Sequence, residues 1–303
     1  MGGEKVKSMK TVAITGLNGV IGQILGQDIT SKIEVVDLFN KIKYSGSKKI
    51  KKHTHFNLLD KNRISSVLKR VNPDIVIHMA AITHIDACEK DRKNGENGIV
   101  WKTNVEGTYE IAKFCAKYKR HLILLSTECV FDGKQKTFSE NSQKSPLSWY
   151  GITKSEAEDL ALKSGAPVAI IRSVVAYHEN DGGKTIYGKI LNELQVKKHI
   201  FSVTDQLFTP THTHDIAKAI NRIVERKLLG IYHVVPKKSL SPYEFALLIA
   251  KKNNFPRSRI EKTTLKKFYD EKRASLRLRY ACLSGNETSK ILNFIPKNPE
   301  EVL

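Results

Sequence analysis

Tyr150 and Lys154 are the residues whose types and spacing point most directly to chemistry. Four positions apart, they share one face of a helix, and a lysine ammonium beside a phenol stabilises the phenolate. Such a pair can hand a proton to an oxygen on which negative charge builds. Spacing alone is weak, because a lysine-rich chain with 10 tyrosines produces about one such pair by chance. Tyr44/Lys48 and Tyr109/Lys113 repeat the spacing. Position separates the three. Tyr44 falls in a lysine-rich loop and Tyr109 in a helix whose apolar stripe indicates packing. Tyr150 opens a helix one crossover after a strand ending in Ser126-Thr127. Ligands of open α/β sheets bind outside the carboxyl ends of the strands, so Thr127 and Tyr150 are expected to line one cleft.

A second signal lies near the N-terminus, where an apolar strand runs through Thr15-Gly16-Leu17-Asn18-Gly19-Val20-Ile21-Gly22 into a helix. Residues without a Cβ let the backbone approach a pyrophosphate, whose charge then rests on unpaired helix N–H groups. Asp37, 21 residues after Gly16, ends the second strand and is expected to bond a ribose 2′-hydroxyl and repel a 2′-phosphate. That favours NAD over NADP. Lys41 and Lys43 temper the preference and leave NADP open.

Positioning these groups requires alternating strands and helices. Apolar runs predict strands at Thr11–Thr15, Ile33–Asp37, Asp74–His78, His121–Ser126 and Val168–Ile171. Helical periodicity fills Val20–Thr30, Lys61–Val71, Val105–Lys119 and Leu147–Ser164. The expected class is α/β, a Rossmann-type doubly wound parallel sheet. After Arg172 the pattern loosens. Helical segments at Ile186–Gln195, Asp215–Arg226 and Pro242–Lys252 alternate with short strands near Phe201 and Tyr232–Val235. The expected division is a dinucleotide-binding domain over 1–172 and a smaller α/β substrate lobe over 173–303, with the helix near 213–226 packing back on the sheet.

Composition narrows the partners. At 303 residues and 40% hydrophobic, the chain can bury a full core. Four cysteines far apart fit neither a disulfide framework nor a zinc site, and with no leader or membrane-spanning run the expected location is cytoplasmic. The net charge of +20 invites nucleic acid, but the basic residues are scattered lysine doublets without a recognition motif. Nucleic acid and membrane are therefore not expected partners. The field would steer an anionic substrate. The pairs His53/His55 and His212/His214 show no third ligand, and no metal is expected. Cys129 reads as a small pocket residue, and the Phe and Tyr of Ile186–Phe208 as core.

The Gly16 loop, Ser126-Thr127-Glu128-Cys129-Val130-Phe131-Asp132-Gly133 and Tyr150-Gly151-Ile152-Thr153-Lys154 together resemble the extended short-chain dehydrogenases, and within them the dTDP-4-dehydrorhamnose reductase group. Ala80-Ala81-Ile82-Thr83-His84-Ile85-Asp86, Thr103-Asn104-Val105-Glu106-Gly107, Asp205-Gln206 with Pro210-Thr211, and Gly230-Ile231-Tyr232-His233 before Tyr243-Glu244-Phe245 extend the likeness along most of the chain.

The resemblance implies an NAD(P)H-dependent reductase of a 4-keto sugar carried on a nucleoside diphosphate, with a homodimer as one assembly. Tyr150 would donate the proton, Lys154 would lower its pKa and hold the nicotinamide ribose, and Thr127 would orient the carbonyl. Asn104 would support the lysine. Asn57, Leu58, Ala80, Ala81, Ile82, Ser126, Arg172 and Ser173 would join the glycine loop around the cofactor. Thr83, Ile85, Glu128, Cys129 and Gln206 would meet the substrate, with its diphosphate near Gln206 and Arg273–Arg279. Two departures bear on the sugar. Members typically carry Asp-Tyr where this chain has Glu128-Cys129, and a tryptophan in place of Val175. Alternatives are a nucleotide-sugar epimerase or dehydratase, and a partner-binding protein similar to the regulatory subunit of methionine adenosyltransferase.

Overall fold

Continuous apolar runs such as Val12-Ala13-Ile14, Ile75-Val76-Ile77 and Leu122-Ile123-Leu124 cannot alternate polar and apolar faces, so they must be covered on both sides. The computed structural model, which describes residues 10–28, 33–48, 50 and 52–303, meets that demand with a three-layer arrangement. Seven parallel strands pair in the order β3-β2-β1-β4-β5-β6-β9. These are β1 (Lys10–Thr15), β2 (Ile33–Phe39), β3 (Lys52–His55), β4 (Ile75–His78), β5 (His121–Thr127), β6 (Val168–Ser173) and β9 (Gly230–His233).

Side chains of successive strand residues go to opposite faces, and both faces are apolar. On one, Val12, Ile14, Ile77 and Ile171 pack with Ile24 and Leu25 of α1 (Val20–Asp28) and Ile216, Ile220 and Ile223 of α8 (Thr213–Arg226). On the other, Ala13, Val76, Leu122 and Ile170 pack with Ile64 and Leu68 of α2 (Lys61–Val71) and Ile111 and Phe114 of α5 (Gly107–Lys117). Order reverses between β1 and β4, the switch point at which open α/β sheets bind ligands.

Between β4 and β5 the chain forms α3 (Ile85–Asp91), a short turn α4 (Ile99–Trp101) and a π-helical turn over Lys102–Glu106 that runs into α5. Helix α6 (Trp149–Lys163) follows β5, with Ser148 accepting from the Gly151 amide at 3.1 Å as its N-cap. The second lobe holds α7 (Ile186–Val196), β7 (Ile200–Val203), β8 (Leu207–Phe208), α9 (Pro242–Lys252), β10 (Ile260–Thr263), α10 (Leu265–Ala274), β11 (Tyr280–Ala281), α11 (Asn286–Leu292) and α12 (Pro299–Val302). Helix α9 starts on a capping box in which Ser241 and Glu244 bond reciprocally, with Pro242 at its first position. The lobe core gathers Tyr177, Tyr187, Phe208, Phe245 and Ile249.

Several expectations need adjustment. The five expected strands and the seven expected helices are present, with ends shifted by a few residues. Residues 29 and 30 of the expected first helix lie outside the described residues. Strand β3 was missed because Lys52-His53-Thr54-His55 has no apolar character; it forms an edge strand paired only with β2. The boundary after residue 172 does not separate layers, because β9 extends the main sheet and α8 packs on it. Of the aromatics expected in the lobe core, Tyr187 and Phe208 are buried, whereas Phe201 is exposed.

Candidate active site

The glycine loop is shaped by close approaches. Gly16 has φ of 82°, and a Cβ there would sit 2.8 Å from the Ala80 amide nitrogen. A Cβ on Gly22 would lie 2.6 Å from Leu17 Cα, so the first turn of α1 packs on the loop backbone only with glycine at that position. Opposite the loop, Thr15 Oγ1 accepts from the amides of Met79 and Ala80, each at 3.2 Å. A chain of bonds through His78 (Nδ1 to Thr15 Oγ1, 2.7 Å; Nε2 to Thr108 Oγ1, 3.0 Å) ties the ends of β1 and β4 to α5. Burial pushes the His78 imidazole down to about 3, with Lys154 adding to the effect, so it serves here as a neutral hydrogen-bonding post.

Two adjoining hollows open from this loop. One, of about 680 Å³, is lined by Gly16, Asn18, Asp37, Lys41, Asn57, Leu58, Ala80, Ala81 and Ile82, among others. The other, of about 690 Å³, is bounded by Gly19, Val20, Ile21 and Gly22 on one side and Ser126, Thr127, Tyr150 and Ser173 on the other. Its far wall carries Thr83, Ile85, Glu128, Cys129, Val175 and Thr185. The structure thus gathers the glycine loop, Thr127, Tyr150 and four of the five residues expected at the substrate in one cleft. Gln206 is the exception: its Nε2 donates to Leu278 O at 2.7 Å, and it does not line the cleft.

Gly151 is a functional residue that sequence reasoning left without a role. A Cβ at this position would collide with the Cys129 carbonyl, and Cys129 C would be 3.1 Å away. Only glycine lets the start of α6 press on the turn after β5, which puts Tyr150 beside Thr127. Its position directly after the tyrosine was the available signal. The Tyr150 phenol is buried, and that burial holds its pKa well above the ordinary value; the neighbouring Cys129 and Glu128 push the same way and the Thr127 hydroxyl opposes them. Glu128, also buried, is held above the usual carboxylate range, and accepts from Thr127 Oγ1 at 2.8 Å. Burial likewise keeps Cys129 a thiol, as its reading as a pocket residue requires.

Lys154 donates from Nζ to Leu125 O at 2.8 Å, and burial brings its pKa down to about 8 against the opposing effect of Glu158. The expectation that it lowers the Tyr150 pKa is therefore not met by the chain alone, in which burial governs the phenol. Asn104 does not bond the lysine directly. Held in the π-helical turn, it accepts from the Ile82 amide at 2.8 Å and donates to Ile82 O at 2.9 Å and to Thr153 Oγ1 at 3.1 Å. It thereby joins the strand-end segment at Ile82 to the residue before Lys154.

One expected cofactor contact is corrected, and a second residue carries other bonds. Arg172 is turned into the protein: Nε and Nη2 reach the two carboxylate oxygens of Glu158 at 3.0 and 2.7 Å, and both side chains are nearly inaccessible. Asp37 borders the first hollow, but its Oδ2 accepts from the Tyr44 amide at 2.8 Å and pairs with His53 Nδ1 at 3.0 Å, and its side chain is 2% exposed. The cause is β2, which continues two residues past Asp37 and so withdraws it from the strand end. The Tyr44/Lys48 pair is accounted for here, since Tyr44 packs in the core and donates to Gln23 O.

The sheet order, the glycine loop at its switch point and the Tyr150 helix define an extended short-chain dehydrogenase architecture. Within it, the chain belongs to the family of the RmlD substrate binding domain, which it matches over residues 9–303. It is 28% identical over 260 residues to the spore coat polysaccharide biosynthesis protein SpsK of Bacillus subtilis, covering 84% of each chain. It is 26% identical over 265 residues to the methionine adenosyltransferase 2 subunit beta of Bos taurus, covering 84% of this chain and 75% of that one. The fold is also that of the crystal structure of dTDP-4-dehydrorhamnose reductase from Bacillus anthracis in complex with NADP, with a TM-score of 0.83, 23% identity and 96% of each chain covered. Among the described residues, no helix is long and apolar enough to cross a membrane.

Proposed function

We propose that this chain is a nicotinamide-dependent reductase of a 4-keto sugar carried on a nucleoside diphosphate. The observation that carries the reading is the meeting of Thr127 and Tyr150 with the glycine loop in one cleft, to which Val175, Ala176 and Thr185 of the later part of the chain also contribute. The Cβ-free cradle at Gly16 and Gly22 fits a dinucleotide, with Val20 and Ile21 at the helix start toward its pyrophosphate. Asn57, Leu58 and the Ala80–Ile82 segment would flank its adenosine half. When bound, the nicotinamide supplies a hydride.

A carbonyl carbon that accepted such a hydride would build negative charge on its oxygen. Tyr150 is placed to answer it: its phenol lies in the cleft beside the Thr127 hydroxyl and can pass its proton to the more basic alkoxide. The Thr127 hydroxyl beside it orients the oxygen. Lys154, its Nζ held by the carbonyl of the cleft residue Leu125, would contribute positive charge behind the site, and Asn104 holds the start of α6 through Thr153. With Asp37 turned inward and Lys41 in the adenosine hollow, we infer that NADPH is accepted at least as well as NADH.

The test is oxidation of NADPH and NADH against dTDP-, UDP-, GDP- and CDP-linked 4-keto sugars, each paired with its free sugar. Turnover with a nucleotide-linked ketone, lowered by about 10²–10⁴ in Tyr150→Phe with cofactor affinity within a few-fold, is the expected result. Equal rates on free and linked sugar overturn the substrate assignment. The relative named as a methionine adenosyltransferase subunit raises the rival reading of a partner-binding protein, which predicts tight cofactor binding with no turnover on any ketone.

A further inference from the structure

Outside the cleft, imidazoles gather where the segment after β6 passes the start of α8. Tyr177 forms a parallel bridge with His212: its amide donates to Thr211 O at 3.0 Å, and its carbonyl accepts from the Thr213 amide at 3.1 Å. This two-bond clamp fixes both backbones, so that His178 and Glu179 come against the pair His212/His214. A histidine pair that lacks a third ligand in the sequence thus acquires one from 33 residues upstream.

Ligand atoms of His178, Glu179 and His212 all lie within 4.8 Å of one another. His212 Nε2 and Glu179 Oε2 are 3.0 Å apart. Two donors at about 2.0–2.1 Å from one tetrahedral ion would be separated by roughly 3.3 Å, so that pair is already at bridging distance. The rings of His178 and His212 stack with centroids 5.4 Å apart. The His214 ring stands 5.3 Å from His212 and 5.5 Å from His178, with its Nδ1 paired with Asp28 at 3.0 Å.

The supports around the cluster are of the kind that orient ligands. Lys252 bonds the other oxygen of Glu179, Oε1, at 3.2 Å, which leaves Oε2 turned to His212. His178 Nδ1 accepts from the amide of Asn180 at 2.9 Å; Asn180 is exposed, so water can replace that bond if an ion takes the nitrogen. Imidazole with a single carboxylate suits zinc and its neighbours, whereas magnesium and calcium prefer oxygen donors throughout.

We propose that His178, Glu179 and His212 form a site for one divalent transition-metal ion, of which Zn²⁺ is the representative. The ion would staple the segment after β6 to the turn that begins α8. That segment is the one that supplies Val175, Ala176 and Thr185 to the cleft. It also holds Val175 at φ of 35°, a conformation that β-branched residues rarely adopt. The role is structural, since none of the three ligands lines the cleft, and it stands whether or not the reductase reading is correct.

The test uses tag-free, chelator-treated full-length protein. Co²⁺ is titrated and followed by its ligand-field absorption, Zn²⁺ is added in competition, and thermal unfolding is recorded with and without Zn²⁺. Expected are one Co²⁺ per chain displaced by Zn²⁺, a higher Tm with Zn²⁺, and affinity at least about tenfold weaker in the double variant His178→Ala/His212→Ala. Glu179→Gln keeps the shape and removes the charge; it should also weaken binding while leaving the metal-free Tm close to wild type. His53→Ala/His55→Ala, on β3, should bind as the wild type does. Absence of a saturating band at one equivalent, or an undiminished band in the double variant, overturns the proposal, as does loss of the band in the β3 variant.

Discussion

Replacing Arg172 by alanine separates the cofactor role expected from the sequence from the structural role seen in the fold. The substitution removes a two-pronged partner from Glu158, whose side chain has no exposure, and leaves Lys144 Nζ at 3.5 Å and the Ser126 hydroxyl as its remaining support. Breaking a buried pair in this way costs about 3–5 kcal/mol, because a charge stays behind without its partner. Taking about 2 °C per kcal/mol, the lower end of the scale for large domains, Tm should fall by roughly 6–10 °C. The sign with pH follows from Glu158. Arg172 holds its carboxyl below the ordinary 4.5 despite burial, so the stabilisation is present above that value and is lost as pH falls through the lowered one. The Tm difference between wild type and Arg172→Ala should therefore shrink in acid. Arg172→Met with Glu158→Leu, which removes both charges, should recover most of the loss. Thermal unfolding measures the stability, and quenching of protein fluorescence by NADPH, recorded well below the variant's Tm, measures affinity. An unchanged Tm with a more than tenfold loss of affinity would refute the reasoning and restore Arg172 to the cofactor.

Two further outcomes follow from the site. Lys154 has its pKa brought down to about 8, so kcat/KM should fall as pH rises through that region when its charge is lost; a profile flat to pH 10 would detach the lysine from the chemistry. Lys41→Ala should lower kcat/KM for NADPH severalfold more than for NADH, because only the former carries the 2′-phosphate that this cation can meet; equal losses would place Lys41 outside that contact.

The parallel sheet was legible because its strands are buried on both faces and therefore read as unbroken apolar runs. Edge strand β3, with two histidines and a lysine in four residues, gives no such signal, and its place is set by pairing with β2. The cleft was legible where chemistry dictates residue type, as at the Gly16 loop and Tyr150. It was illegible where two side chains compete for one partner. Asp37 has the expected type at nearly the expected spacing, but the extra two residues of β2 and the claims of Tyr44 N and His53 decide where its carboxylate goes. Arg172 fails likewise, since the acid that captures it stands on another element, 14 residues earlier. Tertiary contacts of that kind have no periodicity for a sequence to display.

The two departures from the family pattern combine with the charge layout into one consequence for substrate recognition. Cys129 and Val175 both line the cleft, and neither offers the ring on which a hexose packs. Cations stand close by in the chain: Arg273 and Arg277 both reach Asp86, at 2.6 and 2.8 Å, and Asp86 directly follows the cleft residue Ile85. These two guanidiniums hold the Asp86 carboxyl down at about 2, so the pairing is charged throughout the neutral range. One carboxylate for two guanidiniums leaves positive charge over, and an incoming diphosphate carries more negative charge than Asp86 and can draw both away. On the proposed reading, binding energy that stacking would have supplied would come from the nucleotide end, remote from the carbonyl. Energy of that origin positions the reacting carbon as well as tightening affinity. Removing the diphosphate should consequently lower turnover along with binding, and the sugar ring itself should be discriminated only loosely.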